Sequence, residues 1–206
     1  PGITIIAGAT SKEPMENMAL REMLIDEVIA PMFESESVGI DGESEIFVNP
    51  QGAYPKSGPA FHSGMTGRKT ASDTYGAYAR HSGSALSGKD PSRVDRIGAY
   101  MARYVAKNVV AAGLAEECEI QLSFSIGHPG PTSIQVYTFG TGKIDENLLM
   151  QRIESCFDFR IGAIIRDFNL RHLPAKHPEG FYQKLPIEGH FGNRTLALPL
   201  SLIHIS

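Results

Sequence analysis

The sequence predicts an α+β fold, with layered domains of mostly antiparallel sheet and helices on one face. Residues 119–126 alternate polar and apolar side chains without a break, which is typical of a strand with one buried face. A turn at 127–131 and a returning strand pattern at 133–138 predict an antiparallel hairpin. Helical periodicity on both sides of this hairpin, at 90–113 and 145–157, supplies helices to cover the sheet.

The amino-terminal part is predicted to contain two strands and one helix. Residues 2–6 and 45–49 have strand patterns, and a turn follows at 49–52. Between them a helix is predicted from Ser11, and Pro31 is expected to end it. The chain begins with Pro rather than Met, so we expect it to start inside a longer protein.

The composition is that of a soluble globular protein: 206 residues with 42% hydrophobic and 20% charged side chains. No apolar run of about 18 residues and no signal-peptide pattern occurs, so a cytoplasmic protein with no membrane partner is expected. A net charge of −4 without a basic stripe argues against nucleic acid as a partner. Cys118 and Cys156 have no metal-ligand spacing and are predicted to be reduced core thiols.

Two glycine-rich loops, at 64–69 and 83–96, are predicted to form one site for an anionic ligand. Glycine lets a backbone approach a ligand closely, and the two loops concentrate positive charge in an acidic chain. The cations are Arg68, Lys69, Lys89, Arg93 and Arg96. A mixed-charge surface, partly neutralised by Asp73, Asp90 and Asp95, is the alternative interpretation.

The second loop leads into a helix whose start and end are both predicted. Asp90 is a good N-cap, Pro91 suits the first helical position, and Gly113 suits the C-cap. Arg93 and Arg96 would then oppose the helix dipole at a cost of about 0.3–1 kcal/mol each. A bound anion at the helix N-terminus, phosphate above all, would make this arrangement tolerable.

A P-loop is the rival explanation for the glycine spacing at 83–89. It requires Ser or Thr where Asp90 stands, and a buried hydrophobic strand before the first glycine. Residues 75–82 are no such strand, so the P-loop fold is rejected while phosphate binding is kept.

Longer motifs extend well beyond these loops. They lie at 64–69, 73–76, 80–81, 87–96, 99–108, 111–114, 131–133, 138–141, 157–160 and 189–192. Together they resemble the C-terminal half of the S-adenosylmethionine synthetase (methionine adenosyltransferase) family, over residues from about 45 to 195. The resemblance implies the family's layered α+β fold and divides the chain into three parts. Residues 1–56 would end the central domain, 57–195 would form the C-terminal domain with the site loops, and 196–206 are unassigned.

The family usually ends in Pro-Trp-Glu, whereas this chain contains no Trp and ends in an uncharged apolar segment. Residues from about 200 onward are therefore expected not to be native coding sequence. The resemblance also implies that the amino-terminal half of a synthetase, with further ATP and metal loops, is missing. We therefore expect the isolated chain to be inactive.

The resemblance implies an enzyme that transfers the adenosyl group of ATP to the sulfur of L-methionine and then hydrolyses tripolyphosphate to pyrophosphate and phosphate. It implies Mg²⁺ and K⁺ as cofactors and a homodimer or homotetramer as the assembly. A non-catalytic nucleotide- or polyphosphate-binding module and a structural or regulatory subunit remain open alternatives. Retention of the cations Arg68, Lys69 and Lys89 together with Asp95 favours descent from a working enzyme, because a structural subunit has no need of such cations.

Carried over residue by residue, the family pattern assigns catalytic roles to Arg68, Lys69 and Lys89. It assigns contacts with ATP to the same three residues and to Ala53, Tyr54, His62 and Ala85. It assigns contacts with methionine to His62 and Arg93, and a contact with Mg²⁺ to Asp95. The family commonly has an acid at position 62, so His62 departs from the family pattern. Its imidazole can accept a hydrogen bond but offers no full negative charge.

Overall fold

The structure is a computed structural model that describes residues 2–8, 15–34, 39–54, 56, 70–82 and 85–191. It divides into two compact units, which are taken separately below. Unit 1 comprises Pro1–Gly64 with Ser125–His128, and unit 2 comprises Met65–Phe124 with Pro129–Ser206. The boundary expected at 56/57 stays a prediction, and the predicted tail at 196–206 lies outside the described residues.

Unit 1 contains a two-stranded parallel sheet. Strand β1 (Gly2–Ile5) pairs with β2 (Glu45–Val48) in the register Ile3↔Ile46 and Ile5↔Val48. Parallel neighbours need a crossover connection, and the helical segment between them provides it. This segment consists of α1 (Asn17–Leu24), one π-helical turn (Ile25–Ile29) and α2 (Ala30–Phe33). The two strands lie where the sequence places them, but their pairing is parallel.

Pro31 does not end this helix, so that prediction was wrong. The backbone N–H of Ala30 donates to the carbonyl of Ile25, five residues earlier, which closes the π-helical turn. Pro31 then falls in the first turn of α2, where its missing N–H is tolerated. The predicted start at Ser11 lies outside the described residues, and α1 begins at Asn17.

Unit 2 is built on the predicted antiparallel hairpin. Strand β3 (Glu119–Phe124) pairs with β4 (Pro131–Tyr137), so that Ile120 faces Val136 and Leu122 faces Ile134. Its helices are α3 (Thr70–Asp73), α4 (Val94–Ala111), α5 (Glu146–Cys156), α6 (Ile161–Asp167), α7 (Leu173–Lys176) and α8 (Leu185–Glu188). Helix α4 packs against β3, and α5 packs against β4. The predicted α+β class is confirmed.

The core of unit 2 lies between these helices and the hairpin. Its fully or almost fully buried side chains include Ile97, Val105, Leu149, Ile164 and Leu170. The apolar spacing along α4 therefore faces inward as predicted, apart from Val94, which is exposed. Cys118 is half-buried but Cys156 is exposed, so the prediction of a core thiol is wrong for Cys156.

Two helix ends follow the sequence predictions. Gly113 has a φ of +68°, and the amides of Gly113 and Leu114 donate to the carbonyls of Val110 and Val109 in a Schellman pattern. Asp145 caps α5, since its Oδ1 accepts from the amides of Asn147 and Leu148. Across the described ranges, no helix has the length and hydropathy needed to cross a bilayer.

Candidate functional site

Helix α4 begins three residues later than the sequence predicts, so the prediction of Asp90 as its N-cap was wrong. Its N-cap is Arg93, which has an extended backbone, and Asp90 forms a separate turn. Asp90 Oδ1 accepts from the Ser92 amide at 2.8 Å and from the Ser92 hydroxyl. The hydroxyl bond, followed by the amide bond, holds the pKa of the Asp90 carboxyl below its ordinary value. Because this turn satisfies Asp90 locally, the carboxylate does not cap the helix.

Lys89 and Asp95 form an ion pair at the start of α4. The distance from Lys89 Nζ to Asp95 Oδ2 is 2.6 Å, and the side chains are 19% and 26% exposed. A residue predicted to bind phosphate thus contacts the residue predicted to bind metal. Both remain partly open to solvent, so either side chain is accessible to a charged ligand.

Arg96 is buried rather than presented to a ligand, so its predicted place in the anion-binding cluster was wrong. Only 2% of the residue is exposed. Its Nη2 donates to the carbonyls of Leu86 and Lys89, both at 2.9 Å, and Nη1 donates to the Tyr100 hydroxyl at 3.1 Å. The guanidinium also lies 4.9 Å from the centroid of the Tyr182 ring. Arg96 therefore binds the backbone of the loop that carries Lys89.

A chain of buried polar side chains continues from Arg96 through unit 2. The Tyr100 hydroxyl lies 2.7 Å from His190 Nδ1, and His190 Nε2 lies 3.0 Å from Ser87 Oγ. Ser87 Oγ donates to Asp73 Oδ2 at 2.7 Å. All of these residues are almost fully buried. The chain joins a guanidinium at one end to a carboxylate at the other.

The partners along this chain assign the proton positions. The single proton of Ser87 goes to Asp73, so His190 Nε2 must donate to Ser87 Oγ. In neutral imidazole Nδ1 is then an acceptor, and it receives the proton of Tyr100. Arg96, which can only donate, supplies the remaining bond to the Tyr100 oxygen. Every hydrogen bond thus runs in one direction, from Arg96 to Asp73.

Burial widens the pH range over which Tyr100 keeps the proton that this arrangement needs. Desolvation raises the pKa of Tyr100 to about 12, although the nearby Arg96 charge acts in the opposite direction. The phenol therefore keeps its proton across the physiological pH range.

Sequence reasoning did not assign roles to Ser87, Tyr100 or His190, although each lies inside a quoted motif. It named Asp73 only as a surface carboxylate, whereas Asp73 is buried. One local signal was available, because Arg96 and Tyr100 are four residues apart and share the apolar face of α4. A cation on an otherwise buried helix face requires a polar partner. The contacts to Ser87 and His190 had no comparable signal.

The other predicted site residues are placed as follows. Ala85 is half-buried just before the turn that carries Lys89, and Arg93 is exposed. Ala53 and Tyr54 belong to unit 1, where Ala53 is exposed and Tyr54 forms a single parallel bridge with Gly8. His62, Arg68 and Lys69 lie outside the described residues. The structure therefore brings together Lys89 and Asp95, with Ala85 and Arg93 in the flanking backbone.

The chemistry of Asp95 is compatible with the predicted Mg²⁺ contact. Within the described ranges, no group of three or more His, Cys, Asp or Glu residues could hold a metal ion. Magnesium, however, usually retains several waters and takes only one or two carboxylates together with substrate phosphates. One partly exposed carboxylate beside a lysine that is predicted to bind phosphate fits that pattern.

Comparison with known proteins identifies the family. Residues 56–199 match the model for "S-adenosylmethionine synthetase, C-terminal domain", which is more than half of the chain. The chain belongs to the S-adenosylmethionine synthetase family. The chain is 49% identical to the S-adenosylmethionine synthase of Thermosynechococcus vestitus, and the alignment covers 92% of the chain. It is 48% identical to the S-adenosylmethionine synthase of Nostoc punctiforme, and that alignment covers 95% of the chain.

The chain spans 45% and 46% of the length of these two synthases. The domain match includes Ala85, Lys89, Arg93 and Asp95, whereas Ala53 and Tyr54 precede it. The residues at the start of α4 therefore lie within the C-terminal domain of the S-adenosylmethionine synthetase family.

Proposed function

We propose that this chain contributes part of the active site of an S-adenosylmethionine synthase. That transferase moves the adenosyl group of ATP to the sulfur of L-methionine and then hydrolyses the tripolyphosphate to pyrophosphate and phosphate. The observation that carries the proposal is the contact between Lys89 and Asp95 at the start of α4, in a chain of this family. It supports the proposal because a lysine can bind phosphate and a partly exposed carboxylate beside it suits Mg²⁺.

This reaction needs positive charge more than it needs a general base. The thioether sulfur of methionine is a neutral nucleophile with no proton to lose, and it becomes a sulfonium as it attacks C5′ of ATP. The site must align sulfur, carbon and leaving oxygen, and it must stabilise the charge that develops on the triphosphate. Lys89 supplies a compact charge for this purpose, and we propose Lys69 for the same role and Arg68 for a forked contact to two phosphate oxygens.

Asp95 is proposed to hold Mg²⁺. When bound, this ion would neutralise phosphate charge and orient the triphosphate. The chain's own contribution is an exchange of partners, in which Lys89 turns hydrogen-bond donors from the Asp95 carboxylate to a phosphate oxygen.

The remaining assignments are proposed on the family pattern. Ala53 and Tyr54 would contact the adenosine, and the backbone at Ala85 would pass close to the nucleotide. His62 and Arg93 would bind methionine, with His62 also close to ATP. K⁺ is proposed as a second cofactor, a homodimer or homotetramer as the assembly, and the cytoplasm as the location.

The test is to replace Lys89 and Arg68 separately by alanine in a full-length synthase chain that carries this segment. Removing a donor aimed at developing charge should lower kcat by about a hundredfold to a thousandfold. The melting temperature should change little, because these loops lack apolar periodicity and loss of the partly exposed Lys89–Asp95 pair is worth up to about 1 kcal/mol. Lys176→Ala, which alters an exposed lysine in α7, is the matched control.

Near-normal turnover per folded molecule in Lys89→Ala would contradict the catalytic assignment. If that variant also melted many degrees lower, the cation would be structural. Retained tripolyphosphate binding without S-adenosylmethionine formation by the unmodified full-length chain would instead indicate a non-catalytic polyphosphate-binding module.

A further inference from the structure

We infer that Arg96 is a positioning residue for Lys89, held in place by the buried chain that ends at Asp73. It keeps the turn at residues 86–89 in position while Lys89 exchanges Asp95 for the triphosphate. This inference rests on the proposed function, because it concerns how the phosphate-binding lysine is held.

The first step is that the Lys89–Asp95 pair is a weak anchor for the loop once ligands bind. The two atoms are 2.6 Å apart, and the Lys89 ammonium gives Asp95 one of its three donors in this structure. A metal ion bound by Asp95 would repel the ammonium, and a phosphate bound by Lys89 would attract it. Both ligands therefore weaken this side-chain anchor of the turn.

The second step is that Arg96 anchors the same turn through its backbone. One nitrogen, Nη2, binds the carbonyls of Leu86 and Lys89, which are the first and last residues of the turn. Neither bond involves the side chain of Lys89 or Asp95, so both survive when the ion pair opens. Two further features hold the same turn. The side chain of Leu86 is buried, with 2% of the residue exposed, and Ser87 donates to Asp73.

The third step is that Arg96 is itself immobilised. Its Nη1 is held by Tyr100, and its guanidinium faces the Tyr182 ring. A buried cation requires compensation, and here two carbonyls, an aromatic face and a hydrogen-bonded path to the Asp73 carboxylate provide it. Because all bonds of that path run in one direction, each polarises the next. A lysine at position 96 has no planar fork with which to reproduce this set of contacts.

The expected consequence of losing Arg96 is a lower kcat, caused by displacement of Lys89. A displacement of about 1 Å in a catalytic group can cost about a hundredfold in rate. In a full-length synthase chain that carries this segment, Arg96→Lys should therefore lower kcat by about tenfold to a hundredfold. The KM for methionine should stay within about twofold, since Arg96 is not assigned to that substrate.

A double-mutant cycle separates positioning from general stability. Adding Arg96→Lys to Lys89→Ala should reduce kcat little further, because the group that Arg96 positions is already absent. Arg103→Lys is the matched control, since Arg103 also lies on α4 and stacks on the Tyr75 and Phe191 rings. A kcat loss from Arg96→Lys that persists undiminished in the Lys89→Ala background would overturn the inference.

A second measurement does not depend on catalysis. In the 206-residue protein, NMR order parameters of the Ser87, Gly88 and Lys89 amides should fall in Arg96→Lys and stay unchanged in Arg103→Lys. Unchanged order at these three amides would overturn the inference even if turnover fell. If Arg96→Lys does not fold, Tyr100→Phe removes one bond to Arg96 and should loosen the same amides to a smaller extent.

The two proposals fail in different ways. Normal turnover in Lys89→Ala would remove the proposed catalytic role but leave the order-parameter result to decide whether Arg96 positions the turn. Loss of turnover in Lys89→Ala, with order parameters unaffected by Arg96→Lys, would keep the catalytic role and remove the positioning role. If Lys89→Ala turns over too slowly for the cycle, the order parameters alone decide.

Discussion

Lys89 Nζ lies 2.6 Å from Asp95 Oδ2, so the proposed phosphate-binding and metal-binding groups neutralise each other in this structure. An incoming phosphate competes with Asp95 for Lys89, and a metal ion competes with Lys89 for Asp95. Under the proposed roles, binding of either ligand therefore weakens the hold of this pair on the group that the other ligand needs. Such coupling is reciprocal by thermodynamic necessity.

Asp95→Asn should strengthen binding of inorganic tripolyphosphate to the 206-residue protein when Mg²⁺ is absent. Loss of a partly exposed ion pair is worth up to about 1 kcal/mol, which corresponds to about two- to fivefold in Kd. In the presence of Mg²⁺ the advantage should disappear, because the variant also lacks the carboxylate for the ion. Isothermal titration calorimetry with and without Mg²⁺ measures both effects.

Asp158→Asn is the control, since Asp158 pairs with Arg160 elsewhere in unit 2. Weaker Mg²⁺-free binding by Asp95→Asn would show that the two groups do not compete.

Tyr100 should make the protein less stable at alkaline pH. Its folded-state pKa is raised from 10.0 to about 12 by burial, so the unfolded state loses its proton first as the pH rises. The contribution to the free energy of unfolding is complete below pH 10 and is lost between about pH 10 and 12. Two pKa units correspond to about 2–3 kcal/mol.

Urea unfolding at a series of alkaline pH values measures this contribution. Tyr100→Phe should show a shallower fall in stability over that interval than the unmodified protein. Tyr75→Phe, which changes a tyrosine exposed by 40%, is the control and should keep the full slope. Equal slopes for all three proteins would be inconsistent with a buried phenol at position 100.

Asp145→Ala should destabilise the protein by about 0.5–2 kcal/mol, because it removes the acceptor for two amides at the start of α5. Asp145→Asn should retain most of the stability, since its side-chain oxygen can still cap the helix. Glu154→Ala, on an exposed position of the same helix, should stay within about 0.5 kcal/mol. Chemical denaturation midpoints test this series, and an Asn variant as unstable as the Ala variant would refute capping.

The two thiols should react at very different rates with a disulfide reagent near pH 8. Cys156 is exposed, whereas Cys118 is half-buried and burial raises its pKa to about 11. The attacking species is the thiolate, which is scarce at Cys118 under these conditions. Cys156→Ser should therefore abolish the fast phase, and Cys118→Ser should leave it intact. A fast phase that survives in Cys156→Ser would contradict this assignment.

Local rules were sufficient wherever an element depends on its own neighbours. The hairpin at 119–137 follows from alternation, the α4 end at Gly113 from a left-handed backbone position, and the α5 start at Asp145 from side-chain capping. The family followed from long motifs for the same reason, since a motif is a local pattern. Each of these signals extends over only a few residues, so the sequence by itself determined them.

The tertiary structure decided what happens where local preferences compete or where distant segments meet. Asp90 had two local options, and the structure has a turn there with α4 starting at Val94, while Arg96 binds the carbonyls of the preceding loop. The partnership of Ser87 with His190 spans 103 residues. No periodicity encodes it, because burial and partner choice depend on how the whole of unit 2 packs.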